Sequence, residues 1–347
     1  MAANRTILLG VTSSESIKLL GALPEKLVHD GWVVHVVSGS GPEFGSWNPD
    51  GVTKHMIPMK RTPSLFSDAV GLLRWWKLLR KVQPHAVSLG TPKAALLGLL
   101  ASRIRKIPVR VYVLRGLRLE GSRGLALILL CWLERLTSLL ATQIISVSPS
   151  LRDVYVARRL ASAGKVLVIG KGSSHGIDTA KYRPQEPNKQ IAQLYKLDEA
   201  SEAGRPVLGF VGRFSEDKGA AALLACRRLL VESHIDHELV CVGPIEGAQG
   251  IIQELNSLGR PTIMVGHVPD PVRYYSSLDI VLLPTRREGF PNVILEASAF
   301  GLPVVTFGAT GAVDAVVHGR TGLIVPPNDD VKFAEATKKL VLDPELC

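Results

Sequence analysis

Two glutamates eight residues apart, Glu288 and Glu296, bracket the segment REGFPNVILE. Glu288 closes a loop after the strand-like run DIVLLPT (279–285), and Gly289, Phe290, Pro291 and Asn292 lead into a helix-like run carrying Val293 and Glu296. At a helix start the backbone N–H groups point outward and the dipole favours negative charge, so a phosphate suits that place. A carboxylate one turn further in can accept two hydrogen bonds from a vicinal diol such as that of ribose. Together the residues suit a ligand bearing both phosphate and hydroxyl groups. A plainer reading fits the same residues, an acid that stabilises the dipole plus a solvated glutamate, and the spacing alone does not separate the two. Arg213 and Lys218, in GRFSEDKG (212–219), offer an arginine fork and a point charge beside a helix start. Such a pair can offset charge growing on a departing phosphate; it is equally compatible with an ordinary basic surface after a strand.

The elements that must position these residues show in the periodicity. Short β-branched runs at 7–12, 32–38, 54–59, 86–90, 109–116, 143–148 and 165–170 alternate with helix-like segments near 16–29, 67–82, 92–106, 124–140 and 149–160. After a Gly-, Ser- and Pro-rich stretch the same grammar repeats, with strand runs at 206–212, 238–243, 262–268, 279–285, 303–308 and 322–327. Strands separated by helices predict parallel, doubly wound sheets. The expected fold is α/β, with two Rossmann-like domains facing across a cleft: residues 1–170, a connection at 171–204, and residues 205–347. Ligands in such sheets sit at the carboxyl ends of the strands, where the loops named above fall.

A length of 347 residues with 46% apolar and 21% charged residues fits a two-domain globular chain and excludes disordered and disulfide-scaffold classes. Cys131, Cys226, Cys241 and Cys347 are widely spaced, without a C-x-x-C pair, which fits a reducing compartment and suggests no zinc cage. No signal-peptide core precedes ILLGV, so export is not expected. The overall +10 is unevenly spread: residues 1–170 hold 23 Lys and Arg against 9 Asp and Glu, a net +14, while the remainder is at −4. No helix-turn-helix, RNP-like strand or Cys/His finger accompanies that charge, so anionic lipid or a phosphorylated acceptor is the expected partner rather than nucleic acid. Two segments bear on lipid. Leu125 to Ile145 is apolar but interrupted by Glu134 and Arg135, and it reads as a buried helix rather than a span. LLRWWKLLRK (72–81) sets Arg74, Lys77, Arg80 and Lys81 on one arc and Leu72, Trp75, Trp76, Leu78 and Leu79 on the other. That pattern serves an interfacial helix as well as an ordinary surface helix packed on a sheet.

The E-x7-E spacing is followed by an A-x-G-x-P-V-V turn and the tail GATGAVDAVVHGRTGLIVP, and it resembles the donor domain of GT-B glycosyltransferases, specifically glycosyltransferase family four. Matches continue at GFVGRFSEDKG (209–219), VGHVPD (265–270) and GKGSSHGID (170–178). GTPKAALLGLLASRIRKIPVRVYVLRGLRLEG (90–121) is similar to the bacterial sub-group that builds capsule, lipopolysaccharide or other glycans on polyprenyl carriers. The resemblance spans roughly residues 5–340.

By position, the resemblance implies that Glu288 contacts hydroxyls of the transferred sugar, that Glu296 binds ribose, and that Arg213 and Lys218 neutralise the donor diphosphate. It places Val268 where backbone atoms meet the base, and Gly10 and Ser13 in a small-residue loop near the phosphates. Arg115 stands where many members carry His, so its implied role is to hold phosphate or sugar. His175 and Asp178 fall at a step that fixes the chain, and Asp329-Asp330 reads as a helix cap. The implied activity is retaining transfer of a sugar from a nucleoside-diphosphate donor, UDP-linked, to a hydroxyl of a polyprenyl-linked acceptor. No cofactor or metal is expected, and the implied place is cytoplasmic, peripheral at the inner membrane face. A nucleotide-sugar epimerase on the same fold is the rival enzyme, and a silent nucleotide-sugar-binding scaffold the rival of another class. Relatives usually continue past Cys347 with further helices, so a truncated C-terminal end is expected.

Overall fold

The computed structural model describes residues 5–343 except 61 and 63, together with 346. The chain divides into two units, Met1–His175 and Gly176–Cys347. In the first, the strands are β1 (Thr6–Gly10), β2 (Val33–Ser38), β3 (Val52–Met56), β4 (Ala86–Gly90), β5 (Val109–Leu114), β6 (Gln143–Ser146) and β7 (Val166–Val168). They form one sheet, all parallel, in the order β3-β2-β1-β4-β5-β6-β7. Its helices are α1 (Leu23–His29), α2 (Pro42–Ser46), α3 (Leu65–Val82), α4 (Pro92–Ile104), α5 (Gly124–Leu140) and α6 (Pro149–Ala157). The run expected at 54–59 ends sooner, at Met56, because Pro58 has no amide hydrogen to continue the ladder. The run expected as one helix over 16–29 is a 3-10 turn, Ser14–Leu20, broken from α1 at Gly21.

The second unit begins with α7 (Lys189–Leu194) and α8 (Leu197–Glu202), which lie within the stretch expected as a connection. Ala192, Leu197 and Ala200 enter a hydrophobic core of this unit, so the segment is built into it. Then follow β8 (Val207–Val211), α9 (Ala220–Glu232), β9 (Glu238–Val242), α10 (Gln249–Ser257), β10 (Ile263–Gly266), α11 (Val272–Tyr275), β11 (Ile280–Leu283), α12 (Asn292–Ala299), β12 (Val304–Phe307), α13 (Ala312–Ala315), β13 (Gly322–Val325) and α14 (Asp330–Leu342). The sheet order is β10-β9-β8-β11-β12-β13, again parallel throughout. Strands β8, β9, β11 and β12 are buried at every position, as a sheet covered on both faces requires. Asp329 accepts the Lys332 amide at 3.0 Å and so caps α14.

Helix α3 takes one of the two readings its pattern allowed, an ordinary surface helix packed on the sheet, whereas α5 departs from expectation in which face it buries. On α3, Trp75 is fully buried, packed against Gly10 and Gly98, while Arg74, Lys77, Arg80 and Lys81 face solvent. The apolar arc of 72–81 therefore packs toward the core through Trp75 and Leu79, and the basic arc, with Leu73, is outside. Trp76 is half-buried, with the Arg80 and Arg105 guanidinium groups lying 5.8 Å from its ring centroid. Helix α5, expected to be buried, instead turns Leu125, Ile128, Leu129, Trp132, Leu136 and Leu139 outward. Its buried face is polar: Tyr112 and Tyr155 donate to Glu134 Oε2 at 3.2 and 3.1 Å, and Ser138 lies 2.6 Å from the Tyr155 hydroxyl. Burial raises the Glu134 carboxyl above its usual range, against the pull of both phenols. All five tryptophans, residues 32, 47, 75, 76 and 132, lie in this unit.

Candidate active site

At the C-terminal edge of the second sheet, the loops after β8, β9, β11 and β12 converge. Lys218 Nζ donates a short hydrogen bond to Glu288 Oε1, and Thr285, fully buried, donates to the same oxygen at 3.0 Å. The side chains of Lys218 and Glu288 are only 20% and 16% exposed, so the pair sits where water screens it weakly. Two close backbone approaches make this possible. A Cβ on Gly219 (φ +86°) would stand 2.0 Å from the Pro284 oxygen, and one on Gly311 (φ +78°) 2.2 Å from the Gly289 oxygen. Only glycine lets the Lys218 turn and the loop after β12 close on the Glu288 segment. The Glu288 amide donates to Thr310 O at 3.1 Å, which fixes the loop from that side.

Arg213 follows β8 directly and is held by two acids, Glu246 Oε2 at 2.6 Å and Asp217 Oδ2 at 3.4 Å. Arg287 reaches Asp217 at 3.8 Å, and Ser215 donates to Asp217 Oδ1 at 2.7 Å. Burial works against the Asp217 charge, yet the Ser215 hydroxyl and then Arg213, Lys218 and Arg287 hold its carboxyl below the usual range. Burial likewise opposes the Arg213 charge, but Glu246 and Asp217 carry its guanidinium above the ordinary value. Three cations and three carboxylates thus share one sheet edge. An incoming polyanion can take over cations already gathered there.

Helix α12 starts at Asn292 behind Pro291, with Gly289, Phe290 and Pro291 buried. Asn292 Nδ2 donates to Gly176 O at 2.7 Å, tying the helix start to the beginning of this unit. One turn in, Glu296 Oε2 accepts from the fully buried Tyr275 hydroxyl at 2.7 Å. Tyr275 stacks on Phe300 and meets Tyr182 edge-on, so Glu296 rests on an aromatic floor. Burial first, then the Glu296 charge, pushes both the Tyr275 and Tyr182 phenols well up and keeps them as donors. Val293 is half-buried on α12, and Val268, after β10, packs against the same core.

The sequence-predicted residues of this half therefore share one edge, with Lys218 and Glu288 in direct contact. Asp217, Glu246, Thr285, Arg287 and Tyr275 were not anticipated. Asp217 stood inside a motif already singled out, GRFSEDKG, and Arg287 directly before Glu288; the others gave no spacing signal.

The first unit's edge is a separate arrangement. Gly10 ends β1, and a Cβ there would stand 2.7 Å from Leu89 and 2.9 Å from Trp75, so its bareness serves packing. Next to it the Thr12 amide donates to Thr91 Oγ1 at 2.9 Å, and the two hydroxyls lie 2.7 Å apart. These bonds hold Thr91 at φ +69°, a left-handed setting that a β-branched residue seldom adopts. Ser13 and Ser16 hydroxyls are 2.9 Å apart across the next turn. Arg115, after β5, donates through Nη1 to Ser174 O at 2.8 Å and Ser174 Oγ at 3.2 Å. Burial lowers its guanidinium to about 10, which leaves it charged at neutral pH. His175 is held down to about 4, by burial first and then by Arg115 and Lys18, so its ring is neutral. Asp178, already in the second unit, accepts the Ala180 amide at 2.9 Å, a local turn contact.

Two parallel α/β units, with an edge-of-sheet cluster of acids and bases in the second, define a GT-B type of transferase architecture. Residues 20–172 match the glycosyl transferase 4-like domain, and residues 205–343 match glycosyl transferases group 1. A capsular polysaccharide biosynthesis glycosyltransferase of Staphylococcus aureus, CapM, is 37% identical over 347 residues, covering 99% of this chain and 89% of its own length. An Escherichia coli protein, UDP-Gal:alpha-D-GlcNAc-diphosphoundecaprenol alpha-1,3-galactosyltransferase, is 24% identical over 312 residues, 88% of this chain and 78% of that one. Among solved structures, Anabaena HepE in complex with UDP and glucose superposes with a TM-score of 0.78 at 21% identity, covering 99% of this chain and 91% of that chain. The chain belongs to glycosyltransferase family four and is a glycosyltransferase.

Proposed function

We propose that this enzyme carries out retaining transfer of a sugar from a nucleoside-diphosphate donor, UDP-linked, to a hydroxyl of a polyprenyl-linked glycan acceptor, working peripherally at the inner face of the cell membrane. The observation that carries this reading is the half-buried Lys218–Glu288 pair, seated on Thr285, beside Arg213 and the start of α12. In this reading Glu296 accepts from the ribose hydroxyls, and Glu288 accepts from hydroxyls of the sugar. Arg213 and Lys218 offset the charge that collects on the diphosphate as the bond from the anomeric carbon to phosphate oxygen breaks. The acceptor hydroxyl bonds to the anomeric carbon on the face the diphosphate leaves, and its proton passes to the departing phosphate oxygen. No protein base is then needed. Arg213, Lys218 and the α12 dipole supply the positive charge, so the reading asks for no metal. The first unit contributes Arg115, to hold phosphate or sugar, and Gly10 and Ser13 as further binding residues in the same reading.

The UDP in the HepE complex and the diphosphoundecaprenol substrate in the name of the E. coli relative support the donor and acceptor classes. A panel of radiolabelled nucleotide-sugars incubated with bacterial membranes and the enzyme tests the proposal. Label from one donor should become extractable into organic solvent as a glycolipid. Label that stays in water-soluble products with every donor would overturn the lipid-linked acceptor.

A further inference from the structure

We infer that the outer faces of α3 and α5 form one docking surface for an anionic bilayer, with α3 supplying the charge and α5 the apolar side chains that enter the lipid. This inference rests on the reading of a peripheral enzyme with a lipid-linked acceptor and names the surface that reading requires. Helix α4 packs between α3 and α5, which places all three on one face of the sheet. On α5 the six outward apolar residues recur at spacings of three and four, from Leu125, 84% exposed, to Leu139, 76% exposed. Apolar surface of that extent, in one stripe, marks an interaction site. The helix has 17 residues, about 25 Å of length, and among the described residues no helix is long and apolar enough to cross a membrane. It suits lying in an interface rather than spanning it.

Charge complementarity selects the occupant. Helix α5 carries one acid, Glu134, and that is turned inward to Tyr112 and Tyr155. Arg123 at its start is exposed, and Arg135 lies 5.8 Å from the Trp132 ring centroid. On α3 the outward arc is Arg74, Lys77, Arg80 and Lys81, while its one acid, Asp68, is bonded to Lys93 at 2.7 Å. A second copy of the chain docking symmetrically would set this cationic arc near its own image, which opposes self-association. An anionic lipid surface satisfies both halves of the patch. The placement also serves transfer: β5 ends beside Arg115, and ten residues further on the chain starts the stripe at Leu125. A lipid-linked acceptor rising from the bilayer beside α5 would meet that edge of the sheet.

Vesicle flotation tests this, with phosphatidylcholine alone and with phosphatidylglycerol added, at low and high salt. The intact chain should float with the anionic vesicles at low salt. Arg74→Glu with Lys77→Glu should reduce partitioning by about fivefold or more for each charge lost, and weaken its salt dependence. Leu129→Ser with Trp132→Ser should reduce it by about tenfold or more with the melting temperature unchanged, because both side chains are already exposed. Leu125→Glu is the single-site check on the same stripe. Flotation by these α5 variants equal to that of the intact chain would overturn the assignment, as would binding indifferent to lipid charge. So would a concentration-dependent dimer in sedimentation that Trp132→Ser dissolves without change in flotation. The two readings fail separately: vesicle binding lost in the α5 variants with only water-soluble products from the donor panel would sink the lipid-linked acceptor and leave the surface standing. Extractable product with α5 variants that still float would do the reverse.

Discussion

The two units share a plan of parallel strands and returning helices, yet their C-terminal sheet edges are furnished differently. The second gathers three cations and three carboxylates, Arg213, Lys218 and Arg287 with Asp217, Glu246 and Glu288, in paired contacts. The first offers hydroxyls, Thr12, Thr91, Ser13 and Ser16, and one arginine whose head is turned to Ser174. The means of fixing each edge differ too. In the second, bare glycines let backbones touch; in the first, a hydroxyl pair holds Thr91 in a strained setting. The fold thus dictates where a site falls, and the loops decide whether that site handles a dense anion or something less charged. The first unit carries positive charge on the outer surface of α3 instead, at Arg74, Lys77, Arg80 and Lys81.

The sharpest way to separate scaffold from site is to remove Trp75 and compare it with a change at the second edge. Trp75→Ala empties a fully buried position and should lower unfolding free energy by about 3–5 kcal/mol, read by denaturant titration. Trp132→Ala, on the exposed face of α5, should leave stability within about 0.5 kcal/mol. Gly311→Ala pushes a methyl against the Gly289 carbonyl and shifts the Glu288 loop. Transfer rate should fall about a hundredfold, as misplacement near 1 Å does, with far less change in nucleoside-diphosphate affinity. A Gly311→Ala enzyme of normal rate would show that the glycine contact does not set the loop.

Within the second edge, Arg213→Ala should weaken nucleoside-diphosphate binding by roughly 1.5–3 kcal/mol in calorimetry, and leave a nucleoside without phosphates unaffected. Glu296→Gln should weaken nucleoside-diphosphate binding, whereas Glu288→Gln should spare binding and lower turnover. Equal loss of binding in the two glutamine variants would refute the division of roles.

A pH-dependent effect belongs to the first unit. Burial, then the charges of His35 and Lys81, hold His55 to about 4, and burial, Arg115 and Lys18 do the same to His175, against an ordinary 6.5. The unfolded chain takes up protons that the folded chain refuses, so these neutral rings support the fold fully above about 6.5 and progressively less as pH falls toward about 4. Melting temperature should decline over that window, and His55→Gln should flatten the decline. A slope unchanged by the substitution would assign it to other groups.

Much of the fold was legible from residue pattern because both sheets are parallel and covered on both faces. Their strands read as apolar runs separated by amphipathic helices, and the thirteen runs correspond to the thirteen strands among the described residues. The site was legible where chemistry and chain order coincide, as at Glu288 and at GRFSEDKG. It was not legible at Thr285, Glu246 or Tyr275, whose contacts join segments dozens of residues apart or depend on how a loop turns. Helix α5 misled for a physical reason. Apolar content ordinarily marks the inward face, but here Tyr112 and Tyr155 supply partners for Glu134, so the polar face can be buried and the apolar one left out. On α3 the opposite held, since Gly10 and Gly98 open a slot that only an indole fills.

The distribution of indoles gives the molecule a built-in optical label. Selective excitation of tryptophan reports on the first unit alone, since the second contains none and is visible only through its tyrosines, among them Tyr182, Tyr195, Tyr274 and Tyr275. Emission and far-ultraviolet dichroism followed through the same unfolding titration therefore weigh the units differently. Coincident curves would mean that the two sheets melt as one cooperative body, and separated curves would rank their stabilities without any added dye.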